Sequence, residues 1–325
     1  MSNATSFQTN ITDGLQHRGM VEILLFSAPI ILSCCVFLLI NATMLITLRS
    51  KLVFRETSRY VLLYNLLFAD TVQMALSQVL YIVCACRIML TYPVCGVLTM
   101  LANLTTVISP LTLVVMCLER YVAVCYPLRH TTIITIRNTE VAIVVVWGFS
   151  SLNVLIQVLL LLDFPFEDLQ SLQMKEFCST ENMLLGTMSD LYDQVFTCFL
   201  FASACVAITS SYIGVMVAAR SASTDTASAR KARHTLLLHL AQLGLSLSST
   251  IYNPLVIAIT KIVDKITIFR IQTILYVGVI LLPRCLSTLI YGIRDQTIRP
   301  ILICHLCCQY KLSIVQSLRS QSRLH

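Results

Sequence analysis

The sequence predicts an all-α membrane protein, a bundle of seven transmembrane helices with a short amphipathic helix after the seventh span. Three observations predict it. Of 325 residues, 57% are hydrophobic and only 12% charged, whereas a soluble domain carries about 25% charged residues to cover its surface. Seven apolar stretches each reach the roughly 20 residues needed to cross a bilayer core. Lys and Arg crowd into alternate connections between those stretches, as a chain with one fixed orientation across a membrane requires. The same composition excludes disorder, a collagen-like chain and a small disulfide scaffold, since Gly is 9, Pro is 8 and the 14 Cys are spread along a long apolar chain.

In order, the spans cover residues 20–48, 60–85, 96–118, 139–162, 191–219, 235–260 and 271–292. Residues 1–19 precede the bundle, 20–292 form it and 293–325 make a tail. Arg49, Lys51, Arg55 and Arg59 fall between spans one and two, Arg129 and Arg137 between three and four, and Arg220, Arg230, Lys231 and Arg233 between five and six. Arg294, Arg299, Lys311, Arg319 and Arg323 follow span seven. The other connections hold Arg18, Arg87, Lys175, Lys261, Lys265 and Arg270. The N-terminus is therefore expected outside and the tail in the cytoplasm. The net charge of +7 is read as this topology signal, and no nucleic-acid partner is expected.

The segment before span one carries two glycosylation sequons, at Asn3 and Asn10, which the predicted orientation places outside. A third match at Asn41 lies inside span one and is discounted. No charged, short apolar, small-residue series precedes Met20, so span one is expected to serve as the insertion signal. The connection between spans four and five is acidic: Asp163, Glu167, Asp168, Glu176, Glu181, Asp190 and Asp193 stand against Lys175 alone. No repeated or inverted half is visible, which argues against a transporter. A membrane enzyme is not expected either: His234 and His239 are five apart and do not share a helix face. No metal site and no cofactor follow from the sequence.

Ionisable residues inside a membrane are rare, costly and functional candidates by default. Four places matter: Asp70 in span two, Glu119-Arg120-Tyr121 closing span three, His239 in span six and Arg284 in span seven. The plain alternative for Glu119 and Arg120 is that they mark the membrane boundary, where long side chains reach water at little cost.

Asn41, Asp70, Cys95, Glu119-Arg120-Tyr121, Trp147 and Tyr291 together resemble the pattern of rhodopsin-type G-protein-coupled receptors. Within that class, the run from Met116 to His130, MCLERYVAVCYPLRH, is similar to the most specific run of odorant receptors. Ser211-Tyr212, Lys231-Ala232, His239-Leu240 and the stretch Leu289 to Asp295 also match, and Pro283-Arg284-Cys285-Leu286-Ser287 resembles the fish-type branch. There are departures. Ser287-Thr288 stand where the family has Asn-Pro, the first letter of the span-three triplet is Glu, Leu247 replaces a span-six aromatic, and the loop between spans four and five holds only Cys178.

The resemblance implies a multi-pass receptor of the plasma membrane that binds a small-molecule odorant and activates a heterotrimeric G protein of the stimulatory or olfactory type. It implies a disulfide between Cys95 and Cys178, two buried thiols being the alternative. It assigns the switch to Glu119, Arg120 and Tyr121: Glu119 and neutral hydrogen bonds, for example to Thr235 or His234, are expected to hold Arg120 at rest, and activation to release it toward Tyr212, Tyr291 and the incoming G protein. Asn41, Asp70, Ser109 and Ser287 would surround the mid-membrane pocket that holds sodium in many relatives. Arg284 is expected to enter that pocket and pair with Asp70; the alternative is that it meets a carbonyl or water.

The ligand pocket carries over as positions only. These are Thr99, Ala102, Asn103, Thr106 and Val107 on span three, Phe196, Thr197 and Leu200 on span five, Leu247, Thr250 and Ile251 on span six, and Val277 and Ile280 on span seven. Mostly apolar walls with a few hydroxyls and one amide suit a small, mostly uncharged ligand. Small and hydroxylated residues also serve helix packing in lipid, which is the competing role for each. Ala102 stands where amine receptors of the class carry an Asp, which speaks against an amine held through that contact. Cys304, Cys307 and Cys308 are juxtamembrane, so S-palmitoylation or plain thiols are expected there rather than a metal cluster. The runner-up function is a non-olfactory rhodopsin-like receptor, and a polytopic transporter is a remote third.

Overall fold

The computed structural model describes residues 27–28, 30–86, 88–162, 178, 187–221, 234, 237, 241, 244, 259, 271, 274–282, 284 and 297–305. Among the described residues, five helices are long and apolar enough to cross a membrane. They are α1 (Ile30–Ser50), α3 (Ser58–Ala85), α4 (Tyr92–Cys125), α6 (Ile136–Leu162) and α7 (Thr187–Ser221). Two single-turn helices, α2 (Leu52–Arg55) and α5 (His130–Ile133), lie in the connections.

Hydroxyl side chains do not interrupt these helices because they settle on their own backbones. Thr43 donates to the Leu39 carbonyl at 2.8 Å, Thr71 to Leu67 at 2.6 Å and Thr112 to Ile108 at 2.8 Å. In hydrocarbon an unmet polar group costs several kcal/mol, so the bond to the preceding turn is what makes threonine tolerable there.

Helix α4 is the hub, packing against α3, α6 and α7. Its 34 residues make it about 51 Å long, well beyond a hydrocarbon core of about 30 Å. It outruns the apolar window because Glu119, Arg120 and Tyr121 are good enough helix formers to continue it. Pro127 stops it: the residue before proline is driven out of the helical region, and Tyr126 sits at φ −131°, ψ 57°. Pro110 inside α4 removes the N–H that would meet the Thr106 carbonyl.

Helix α6 shows how the bundle inverts the pattern of a soluble helix. Its buried residues are Thr139, Val146, Ser150, Asn153 and Gln157, spaced seven, four, three and four apart so that they share one face. Small and polar side chains look inward and permit close approach. Val141, Val144, Leu152, Leu155 and Leu159 look outward and are exposed on the bundle surface, where lipid is their solvent.

Among the described residues, the largest apolar cluster lies toward the Glu119 end. It joins Met44 and Leu48 of α1, Phe54 of α2, Leu62, Leu63, Leu66 and Leu67 of α3, Leu113 and Met116 of α4, and Ile208 and Val215 of α7. Residues 298–305 are helical and dock there through Ile298 and Leu302. Pro300 falls in that helix's first turn, where a missing N–H costs nothing. Span seven is described over 274–282 and at Arg284, and its turn Tyr276–Leu281 is π-helical. Such a turn holds an extra residue and re-aims the side chains that follow it. Of span six, positions 237, 241, 244 and 259 are described and helical.

Candidate functional site

Among the described residues, three polar constellations lie within the bundle. The first is mid-membrane. Asp70 in α3 is 3% exposed and Arg284 in span seven 9%. Arg284 Nη1 donates to Asp70 Oδ1 at 3.0 Å, and Ser109 Oγ of α4 donates to the same oxygen at 2.7 Å. A buried carboxylate needs donors on every side, and the fixed fork of a guanidinium supplies them with defined geometry. Asn41 of α1 is also buried. Ser287, the fifth member expected here, lies outside the described residues.

One turn nearer the Glu119 end, Asn65 of α3 ties three helices. Its Nδ2 donates to Thr112 Oγ1 at 3.0 Å, and its Oδ1 accepts from Trp147 Nε1 at 2.8 Å. This explains the lone Trp of the chain: an indole N–H buried among helices needs an acceptor, and Asn65 provides it. Gln73 of α3 likewise accepts from Thr105 of α4.

The second constellation closes α4. Arg120 Nε is 3.1 Å from Glu119 Oε2, and the two side chains are 21% and 9% exposed. His130 Nε2 lies 3.9 Å from Glu119 Oε1, brought back by the tight 3₁₀ turn Pro127–Arg129. The Tyr121 ring packs edge-on against Tyr126 at 6.0 Å and covers Gly214 of α7, where a Cβ would run into the ring. Tyr212 packs partly buried against the main core. His234 is a helical, exposed position, and Tyr291 lies outside the described residues.

The third lies at the opposite end, below the Cys95–Cys178 disulfide, which spans 83 residues and fastens the long connection to the start of α4. Asn103 Nδ2 of α4 donates to Gln157 Oε1 of α6 at 3.2 Å, and Gln157 Nε2 donates to Asp193 Oδ1 of α7 at 2.9 Å. Tyr192 Oη donates to Asn153 Oδ1 at 3.0 Å. Two expected pocket hydroxyls turn to their own helix: Thr99 donates to the Cys95 carbonyl at 2.9 Å and Thr106 to the Ala102 carbonyl at 2.9 Å.

The remaining expected pocket residues are distributed as follows. Ala102, Val107 and Leu200 are buried, and Thr197 is half-buried. Phe196 stacks with Phe149 of α6 and with Tyr192, ring centres 5.9 Å apart in each case, so its ring fills the seam between α6 and α7. Val277 is exposed and Ile280 lies in the π-helical turn. Leu247, Thr250, Ile251, Asn3, Asn10, Cys307, Cys308 and His239 lie outside the described residues. Cys304 is exposed, next to His305, whose Nδ1 meets Thr47 Oγ1 of α1 at 2.8 Å.

Sequence reasoning missed Asn65, Gln73, Asn153, Gln157 and His130. An amide mid-span carries no charge to flag it, yet the four amides at helical spacing on α3 and α6 were a usable signal. Among the described residues, no group of three or more His, Cys, Asp or Glu could hold a metal ion.

Residues 29–294 match the family described as the 7 transmembrane receptor (rhodopsin family). The chain is 32% identical over 266 residues to Odorant receptor 131-2 of Danio rerio, covering 80% of this chain and 79% of that protein. It is 27% identical to Olfactory receptor 8A1 of Homo sapiens over 58% of this chain and 56% of that one. With Olfactory receptor 2A12 of Homo sapiens it shares 32% identity over 43% of this chain and 46% of that one.

Proposed function

As the chain belongs to the rhodopsin family of seven-transmembrane receptors, a multi-pass membrane family that signals rather than catalyses, we propose that it is an odorant receptor of the plasma membrane. Its N-terminus faces outward, as the basic connections dictate. A small, mostly uncharged ligand binds among α4, α7 and spans six and seven in the half that carries the disulfide. A heterotrimeric G protein of the stimulatory or olfactory type engages the Glu119 end.

The observation that carries this reading is the ion pair of Arg120 with Glu119, 3.1 Å apart at the end of α4. A receptor needs two states of similar free energy and a ligand that favours one of them. The neighbouring carboxylate restrains Arg120 in the resting state, and His130 stands by on its other oxygen. Between Lys231 and Gln242 the sequence has no Asp or Glu, so Glu119 holds the arginine without an acidic partner from the start of span six. Activation moves Arg120 toward Tyr212 and Tyr291 and opens the inner end. Similarity to Odorant receptor 131-2 of Danio rerio across four fifths of the chain supports the ligand class.

The test is ligand-dependent cAMP in cells that co-express an olfactory-type G protein, with the receptor quantified at the surface. A response to a volatile panel is expected. Silence to that panel in well-expressed receptor, with a response to hormone-like or lipid ligands, would move the chain to the non-olfactory reading.

A further inference from the structure

The backbone around His130 is pinned at the end of α4. Arg129 N–H donates to the Tyr126 carbonyl at 3.0 Å and Ile134 N–H to the His130 carbonyl at 2.8 Å, and Thr132 Oγ1 donates to the Arg129 carbonyl at 2.8 Å. Held this way, the ring sets Nε2 at 3.9 Å from Glu119 Oε1. That nitrogen is buried and, among the described residues, has no hydrogen-bond partner. The other carboxylate oxygen belongs to Arg120, whose Nε lies at 3.1 Å. One acid thus stands between a permanent cation and a ring that becomes a cation on taking up a proton.

Helix α5 packs on the 3₁₀ turn and on α4. The charged and titratable groups at this end are Glu119, Arg120, Tyr121 and Cys125 on α4, Tyr126 and Arg129 at the turn, and Arg137 and Glu140 at the start of α6. Arg129, Arg137 and Glu140 are exposed, where water and salt screen them. The Glu119 side chain is 9% exposed, so it is the acid that a charged His130 feels. When Arg120 departs, that carboxylate is left with little water and no cation, a cost that opposes release. A protonated His130 removes the cost, because it gives Glu119 a second cation and repels the first. A neutral His130 does neither. Proton uptake here and release of Arg120 therefore favour each other, as two linked equilibria must.

We infer that His130 is a positioning residue of the switch that reads cytoplasmic pH: a proton on its ring takes Glu119 over from Arg120 and drives the receptor toward its signalling state. This rests on the proposed receptor function and adds a regulator to it. Histidine suits the task because its charge changes between about pH 5 and 8, whereas an arginine keeps its charge throughout.

The experiment needs no ligand. Membranes carrying the full chain are mixed with a purified stimulatory G protein, and nucleotide exchange is followed between about pH 7.8 and about pH 6.2, with receptor quantified and exchange by the G protein alone subtracted at each pH. Wild type is expected to drive exchange about threefold faster at the acid end. His130→Gln is expected to give a flat profile, and His130→Lys, which keeps a cation there, a flat profile at the raised level. A wild-type profile without slope overturns the inference and needs no variant that folds. So does a slope that survives in either variant, since the proton then sits elsewhere, with Glu119 the first alternative. Both results leave the switch standing if Glu119→Gln drives exchange faster than wild type. Exchange driven by neither wild type nor Glu119→Gln overturns the inference and the switch together.

Discussion

The guanidinium of Arg284 lies 3.0 Å from Asp70 Oδ1, and the same oxygen takes the Ser109 hydroxyl at 2.7 Å, so span seven, α3 and α4 meet on one atom. The two charged partners are 214 residues apart in the chain and buried together. Removing one member of such a pair strands the other in a medium that cannot solvate it, at a cost of about 3–5 kcal/mol. Arg284→Ala should therefore collapse surface expression, and Asp70→Asn in the same chain should recover much of it. A coupling of at least about 1 kcal/mol in the double-mutant cycle is expected from thermal denaturation of solubilised protein. Simple additivity of the two losses would sink the pairing.

With a fixed cation already on Asp70, a mobile one has little to gain there. Agonist dose-response curves taken in sodium medium and in choline medium should superimpose. A reproducible shift of half-maximal concentration by about threefold or more would mean that sodium still reaches the carboxylate.

Neutralising Glu119 removes the ion partner of Arg120 without changing shape. An ion pair of this exposure contributes up to about 1 kcal/mol, and that amount multiplies the ratio of active to resting receptor about fivefold. Glu119→Gln should raise basal cAMP by a few fold at matched surface density. Basal signalling equal to wild type counts against Glu119 as the restraint.

Gly214 gives way to the Tyr121 ring, whose Cδ2 would lie 3.0 Å from an added Cβ and whose Cε2 would lie closer still. Gly214→Ala must push the ring aside or part α4 from α7, at about 1–3 kcal/mol. Loss of thermal stability is expected, with recovery when Tyr121→Leu is added. If the single substitution melts like wild type, the contact is not tight.

How much of this could be read from the chain differs residue by residue. Composition and the apolar windows exposed the bundle, because hydrocarbon admits few other backbones. Asp70, Glu119, Arg120 and Arg284 stood out because charge in a membrane is expensive. Asn65 and Gln157 did not: an amide is tolerated almost anywhere on a helix, and its importance depends on which helix lies opposite, here Thr112 and Trp147 for one and Asn103 and Asp193 for the other. His130 escaped because it lies beyond the end of α4, and the turn at Pro127–Arg129 returns it to Glu119. Thr99 and Thr106 looked like pocket hydroxyls, yet each spends its proton on a carbonyl four residues back, a choice that spacing alone does not reveal.

The bond between Thr47 and His305 bears on the order in which the chain is made. Thr47 Oγ1 gives its proton to the Thr43 carbonyl at 2.7 Å, so α1 can leave the ribosome and enter the bilayer with that hydroxyl already met. His305 emerges 258 residues later and donates its Nδ1–H to the lone pair that remains. Helix α1 thus holds that hydroxyl by itself during the wait and becomes the landing point for the helix at 298–305, fastening the finished bundle at its seam.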